Sequence, residues 1–182
     1  MRVQLNKWFL DPVLVLAVLG MTIFGIAMIY SAGVVYIPNE VTQDAWIRQG
    51  VWFVIAIIAF FGVSRVPVRW IEWVAMPGYV FGILLLCLTL VIGTGAGTAV
   101  GVKSWIQVGS FGFQPSEIAK VSTILFLAKS LSQRKKPLNS VQDLLFPSII
   151  VLFPLILVML QPDLGTVMAF GGIFFAMLFW SG

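Results

Sequence analysis

Six apolar runs, separated by short polar segments, dominate the chain. They cover Pro12 to Ser31, Ile47 to Ser64, Trp73 to Ile92, Ser116 to Leu131, Leu144 to Leu160 and Leu164 to Trp180. A helix that crosses a bilayer needs roughly 17–25 predominantly apolar residues. The fourth run, which carries Glu117 and Lys120, and the fifth are marginal by length, but both are bounded by loop residues. Pro147 and Pro154 lie inside the fifth. Pro154 removes a backbone donor, so a kink is expected there unless a neighbour satisfies the freed carbonyl. The pattern predicts an all-α, polytopic transmembrane bundle with about six spanning helices.

Composition agrees with a lipid solvent. Of 182 residues, 60% are hydrophobic and 10% charged, whereas a soluble domain carries about 25% charged residues. The net charge of +4 sits in short loops between apolar runs, which is a topology signal and not a nucleic-acid-binding face. With the N-terminus inside, Arg2, Lys7, Arg65, Arg69, Lys129, Arg134, Lys135 and Lys136 are cytoplasmic, and only Arg48 and Lys103 fall outside. The first run is longer than a signal-peptide core and reads as an uncleaved helix. Trp46, Trp52, Trp70, Trp73, Trp105 and Trp180 stand near helix ends, where interfacial belts form.

The chain has no His and one Cys, Cys87. That excludes His-based nucleophile systems, His-ligated metals and an internal disulfide. Acid–base work falls to Asp, Glu, Lys, Arg or Tyr.

Three external segments carry chemistry. In Phe113-Gln114-Pro115-Ser116-Glu117-Ile118-Ala119-Lys120, Pro115 suits a first helical turn, and Glu117 and Lys120 share a face. Ionised groups in a membrane helix are costly, so they must pair or face a wet hollow. In Gln161-Pro162-Asp163-Leu164-Gly165-Thr166, Asp163 can cap the sixth helix through the N–H of Gly165 or Thr166. It can equally receive a substrate hydroxyl or a metal. Arg48, at the start of the second helix, is either a snorkelling side chain or a phosphate contact. Gly93-Thr94-Gly95-Ala96-Gly97-Thr98 reads as a flexible loop and lacks the Gly-Lys-Ser/Thr of a phosphate loop.

These segments in this order resemble the SEDS family (shape, elongation, division and sporulation proteins), and most of all its RodA branch, over essentially the whole chain. Tyr30-Ser31-Ala32, Arg48-Gln49 and Lys103-Ser104-Trp105-Ile106 add to the resemblance. Many members have Arg where this chain has Ser104, with Lys103 beside it.

The resemblance implies a peptidoglycan glycosyltransferase that polymerises lipid II in the bacterial plasma membrane beside a class B penicillin-binding protein. It implies about ten helices in the family. Residues 1–182 would then be the N-terminal transmembrane part, ending before the long external loop that holds the family's presumed base, an Asp beyond Gly182. No catalytic or metal-ligating residue is therefore assigned within the chain, and the chain alone is expected to be inactive. No cofactor is identified, and a divalent cation at the pyrophosphate stays open. By the same resemblance, Glu117 and Lys120 form a paired cavity element, and Asp163 is a second polar site. Lys103 and Arg48 are phosphate contacts, and Gln114 and Ser116 orient the fourth helix. The alternatives are a lipid II flippase and a non-enzymatic scaffold for penicillin-binding proteins.

Overall fold

The computed structural model describes residues 12–35, 44–95, 102–109, 111–134 and 140–181. Arg2, Lys7, Lys135 and Lys136, which the orientation argument uses, lie outside the described residues, as do residues 96–98 of the glycine-rich segment. The chain divides into two compact units, Met1–Val66 and Pro67–Gly182.

The first unit is a helical hairpin of α1 (Pro12–Val35) and α2 (Ala45–Val63). The rings of Tyr30 and Trp46 meet edge to face, with centroids 5.5 Å apart. Most apolar side chains of both helices face outward. Water would oppose that arrangement and lipid accepts it.

The second unit contains α3 (Val68–Ile92), a short hairpin of β1 (Ile106–Val108) and β2 (Phe111–Phe113), then α4 (Pro115–Ser132), α5 (Val141–Met159) and α6 (Leu164–Ser181). The observed helix limits lie within a few residues of the apolar runs. Helix α4 packs against α3, α5 and α6. Its buried face carries Ser116, Ala119, Ser122, Thr123 and Leu127. Without a hydrophobic drive between helices in lipid, such small residues let backbones approach. Gly82 of α3 completes the fit, since a Cβ there would lie 2.8 Å from Ser122 Oγ and 3.2 Å from Ala119 Cα. Leu86, Ala119, Leu127, Ile150, Val151, Val158 and Phe170 form the core.

Among the described residues, five helices are long and apolar enough to cross a membrane, and α4 is the exception. Its Glu117, Lys120 and Lys129 lower its hydropathy. Lys120 pairs with Glu117, and Lys129 Nζ donates to the Glu72 carbonyl of α3 at 2.8 Å, so the cations of α4 have polar partners.

Both prolines inside α5 are compensated from outside the helix. Pro154 cannot donate to the carbonyl of Ile150, and Tyr79 Oη of α3 donates to that carbonyl at 2.9 Å. Pro147 cannot donate to the carbonyl of Asp143, and Arg134 Nη1 donates there at 2.7 Å. Arg134 also pairs with the Asp143 carboxylate. The expected condition for a tolerated Pro154, a neighbour on the freed carbonyl, is thus met at both prolines.

The β-hairpin departs from a purely helical reading. Ile106 pairs with Phe113, Gln107 with Gly112 and Val108 with Phe111. Gly109 takes the left-handed turn position at φ 64°. The glycine-rich segment is not loose where it is described. Thr94 and Trp105 exchange backbone hydrogen bonds of 2.7 and 3.1 Å. A Cβ on Gly93 would lie 2.7 Å from the Lys103 carbonyl oxygen. Close backbone approach therefore requires glycine at 93.

Candidate functional site

The end of the four-helix unit where α3 stops and α4 and α6 start gathers most of the singled-out side chains. Gln114 precedes Pro115, the first residue of α4, in an extended conformation. Its side chain makes no cap for α4. Instead Gln114 Nε2 donates to Asp163 Oδ2 at 2.8 Å. Asp163 also caps α6, accepting from Thr166 N on Oδ1 at 3.0 Å and from Thr166 Oγ1 on Oδ2 at 2.9 Å. The carboxylate thus serves the cap and, through Gln114, joins the starts of two helices. One cap bond of this type contributes roughly 1 kcal/mol.

Glu117 and Lys120 form an ion pair of 2.8 Å, with side chains 59% and 22% exposed. Glu117 borders a groove of about 450 Å³ between α3 and α4, whose walls include Val74, Gly78, Phe81, Val121 and Leu125. Lys120 is not among the residues lining this groove. Glu117 therefore stands at the edge of an otherwise largely apolar groove, with Lys120 beside it on the helix.

Ser116 is fully buried. Among the described residues its hydroxyl has no hydrogen-bond partner, as is also true of Ser104 Oγ, Thr123 Oγ1 and Gln161 Oε1. Lys103 is exposed on the irregular segment leading to the hairpin, with its backbone against Gly93. Arg48 lies in the first turn of α2 and belongs to the α1–α2 unit, as does Gln49, which lines that unit's own groove. The junction therefore joins Gln114 to Asp163, with Ser116 and Glu117 in the first turn of α4 beside it, while Arg48 is described with the other unit. No three His, Cys, Asp or Glu side chains among the described residues gather as a metal site.

Gln161 escaped the sequence argument as an individual residue. Its side chain is fully buried, and Nε2 donates to the Leu86 carbonyl of α3 at 3.1 Å. A Gln beside Pro162 and Asp163 reads locally as a polar loop residue, and no periodic signal marks it as an inward one.

A multi-pass helical membrane protein with a polar junction built from two separated motifs is the class defined so far. The FtsW/RodA/SpoVE cell cycle protein family matches residues 12–182. The chain belongs to this family, the SEDS proteins. It is 32% identical over 176 residues to a probable peptidoglycan glycosyltransferase FtsW of Geobacter metallireducens, covering 94% of this chain and 46% of that protein. The rod shape determining protein RodA of Thermus thermophilus matches with a TM-score of 0.80 and 30% identity, over 97% of this chain and 56% of that one. A chain of a peptidoglycan synthase complex that coordinates polymerization and crosslinking matches with a TM-score of 0.77 and 32% identity, over 92% and 46%. The chain thus spans about half the length of the proteins it matches.

Proposed function

We propose that the protein to which these helices belong is a peptidoglycan glycosyltransferase that polymerises lipid II during cell elongation. The observation that carries this reading is the Gln114–Asp163 bond, which draws two SEDS motif segments into one polar junction. In the reaction, an acceptor sugar hydroxyl attacks the anomeric carbon of the donor, and undecaprenyl pyrophosphate leaves. A carboxylate must take the acceptor's proton, and cations must offset the developing pyrophosphate charge. Lys103 suits the second task chemically, and Glu117, paired with Lys120, suits the wall of a lipid-open groove.

The chain lies in the bacterial plasma membrane with its N-terminus in the cytoplasm, and a class B penicillin-binding protein is its partner. The likeness to RodA and to a synthase complex supports both the branch and the partner. Polymerisation is proposed for the full-length protein, and the 182 residues alone are expected to give no glycan.

The test is glycan formation from purified lipid II by the full-length protein with its partner, resolved by gel electrophoresis. Polymer is expected. Lipid II translocation without polymer, or partner binding that needs neither Glu117 nor Asp163, would overturn the reading. Rescue of cells depleted of their elongation protein, but not of their division protein, checks the branch; the converse would move the chain to the FtsW branch.

A further inference from the structure

We propose that Gln161 is a positioning residue whose buried amide fixes the α5–α6 corner to α3 and thereby sets where the Asp163 carboxylate stands. This rests on the glycosyl-transfer reading of the junction. The Nε2 of Gln161 reaches the Leu86 carbonyl at 3.1 Å. Leu86 is itself fully buried in the core that contains Ala119 of α4. Two residues beyond Gln161, Asp163 caps α6 and accepts from Gln114 of α4. One amide therefore begins a short connection from α3 through the corner to the start of α4.

Val158 and Thr166 are buried on either side of this corner, but the residues that turn it are mostly exposed. Leu160 is 63% exposed and Leu164 74% exposed, and Pro162 between them is exposed as well. Gln161 alone in this stretch is fully buried. Nor does stability favour the amide. Its Oε1 is buried without a partner among the described residues, and an unmet polar atom destabilises relative to an apolar side chain of equal length. Methionine has that length and no unmet acceptor. A merely structural role would be filled as well by Met as by Gln. What Met lacks is a directional bond to a helix carbonyl, which sets both the distance and the rotation of the corner.

The experiment compares full-length wild type, Gln161→Met and Gln161→Glu in nanodiscs. Burial keeps the Glu carboxyl protonated, so it retains a donor for the Leu86 carbonyl. Lipid II polymerisation, unfolding midpoint and backbone amide exchange over residues 163–167 are measured for each. Gln161→Met is expected to keep the wild-type midpoint, lose about tenfold or more in kcat with KM within about twofold, and exchange faster at the start of α6. Gln161→Glu is expected to recover much of the lost rate and protection. Unchanged kcat and exchange in Gln161→Met would overturn the proposal. So would a Met variant that fails to fold or unfolds earlier than wild type, since Gln161 would then be structural. If wild type makes no polymer, the glycosyl-transfer reading has failed, and the exchange arm alone decides whether Gln161 fixes the corner.

Discussion

Removing a single oxygen atom, Tyr79→Phe, isolates how α5 tolerates a proline at its centre. The Tyr79 hydroxyl donates to the Ile150 carbonyl at 2.9 Å, and Ile150 is almost wholly buried. Pro154, four residues on, has no N–H to offer that carbonyl. The ring contact of Tyr79 with Phe126, 5.0 Å between centroids, survives in the Phe variant, so the substitution removes little besides the bond. An unmet buried polar group costs about 1–3 kcal/mol in soluble proteins. Side-chain bonds between membrane helices average about 0.6 kcal/mol with a maximum near 1.7. The second scale applies within a bilayer, so a loss of about 1 kcal/mol is expected. In a Pro154→Ala background the new N–H can fill the Ile150 carbonyl, and the same Tyr79→Phe change should cost less than about half as much. Equilibrium unfolding in mixed detergent–SDS micelles of the four proteins gives the coupling. Equal costs in both backgrounds, or none in either, would refute compensation of Pro154 by Tyr79.

Three further outcomes follow from the geometry. Gly93→Ala should destabilise by roughly 2–4 kcal/mol, by overpacking and by loss of backbone bonds. A Cβ there would lie 2.2 Å from the Thr89 oxygen and 2.7 Å from the Lys103 oxygen, both backbone atoms; an unchanged unfolding midpoint would contradict this. Asp163→Ala should lower stability by about 1 kcal/mol or more through the lost cap, whereas Asp163→Asn keeps an acceptor for Thr166 N and should fall between it and wild type. The order of the three unfolding midpoints checks that. Glu117→Ala or Lys120→Ala in the full-length protein should abolish function in complementation, because either leaves an uncompensated charge near the membrane. Full complementation by both variants at normal protein levels would count against the pair's role.

Much of the fold was legible because bilayer thickness imposes a length on each apolar run. Pro115 in the first turn of α4, the Asp163 cap and the Glu117–Lys120 pair all rest on short-range spacing, and each stands where spacing places it, while the helix limits follow the apolar runs only to within a few residues. The β-hairpin was not legible, since two three-residue strands leave too short an alternation to read.

Only the tertiary structure decided which helices meet and through which polar atoms. Gln114 finds Asp163 across 49 residues, Tyr79 finds Ile150 across 71, and Gln161 finds Leu86 across 75. Apolar patterning says that a face avoids water, but lipid satisfies that face as well as another helix does. The choice of partner therefore rests on small-residue fit and on single hydrogen bonds between distant positions, which no local pattern of residues records.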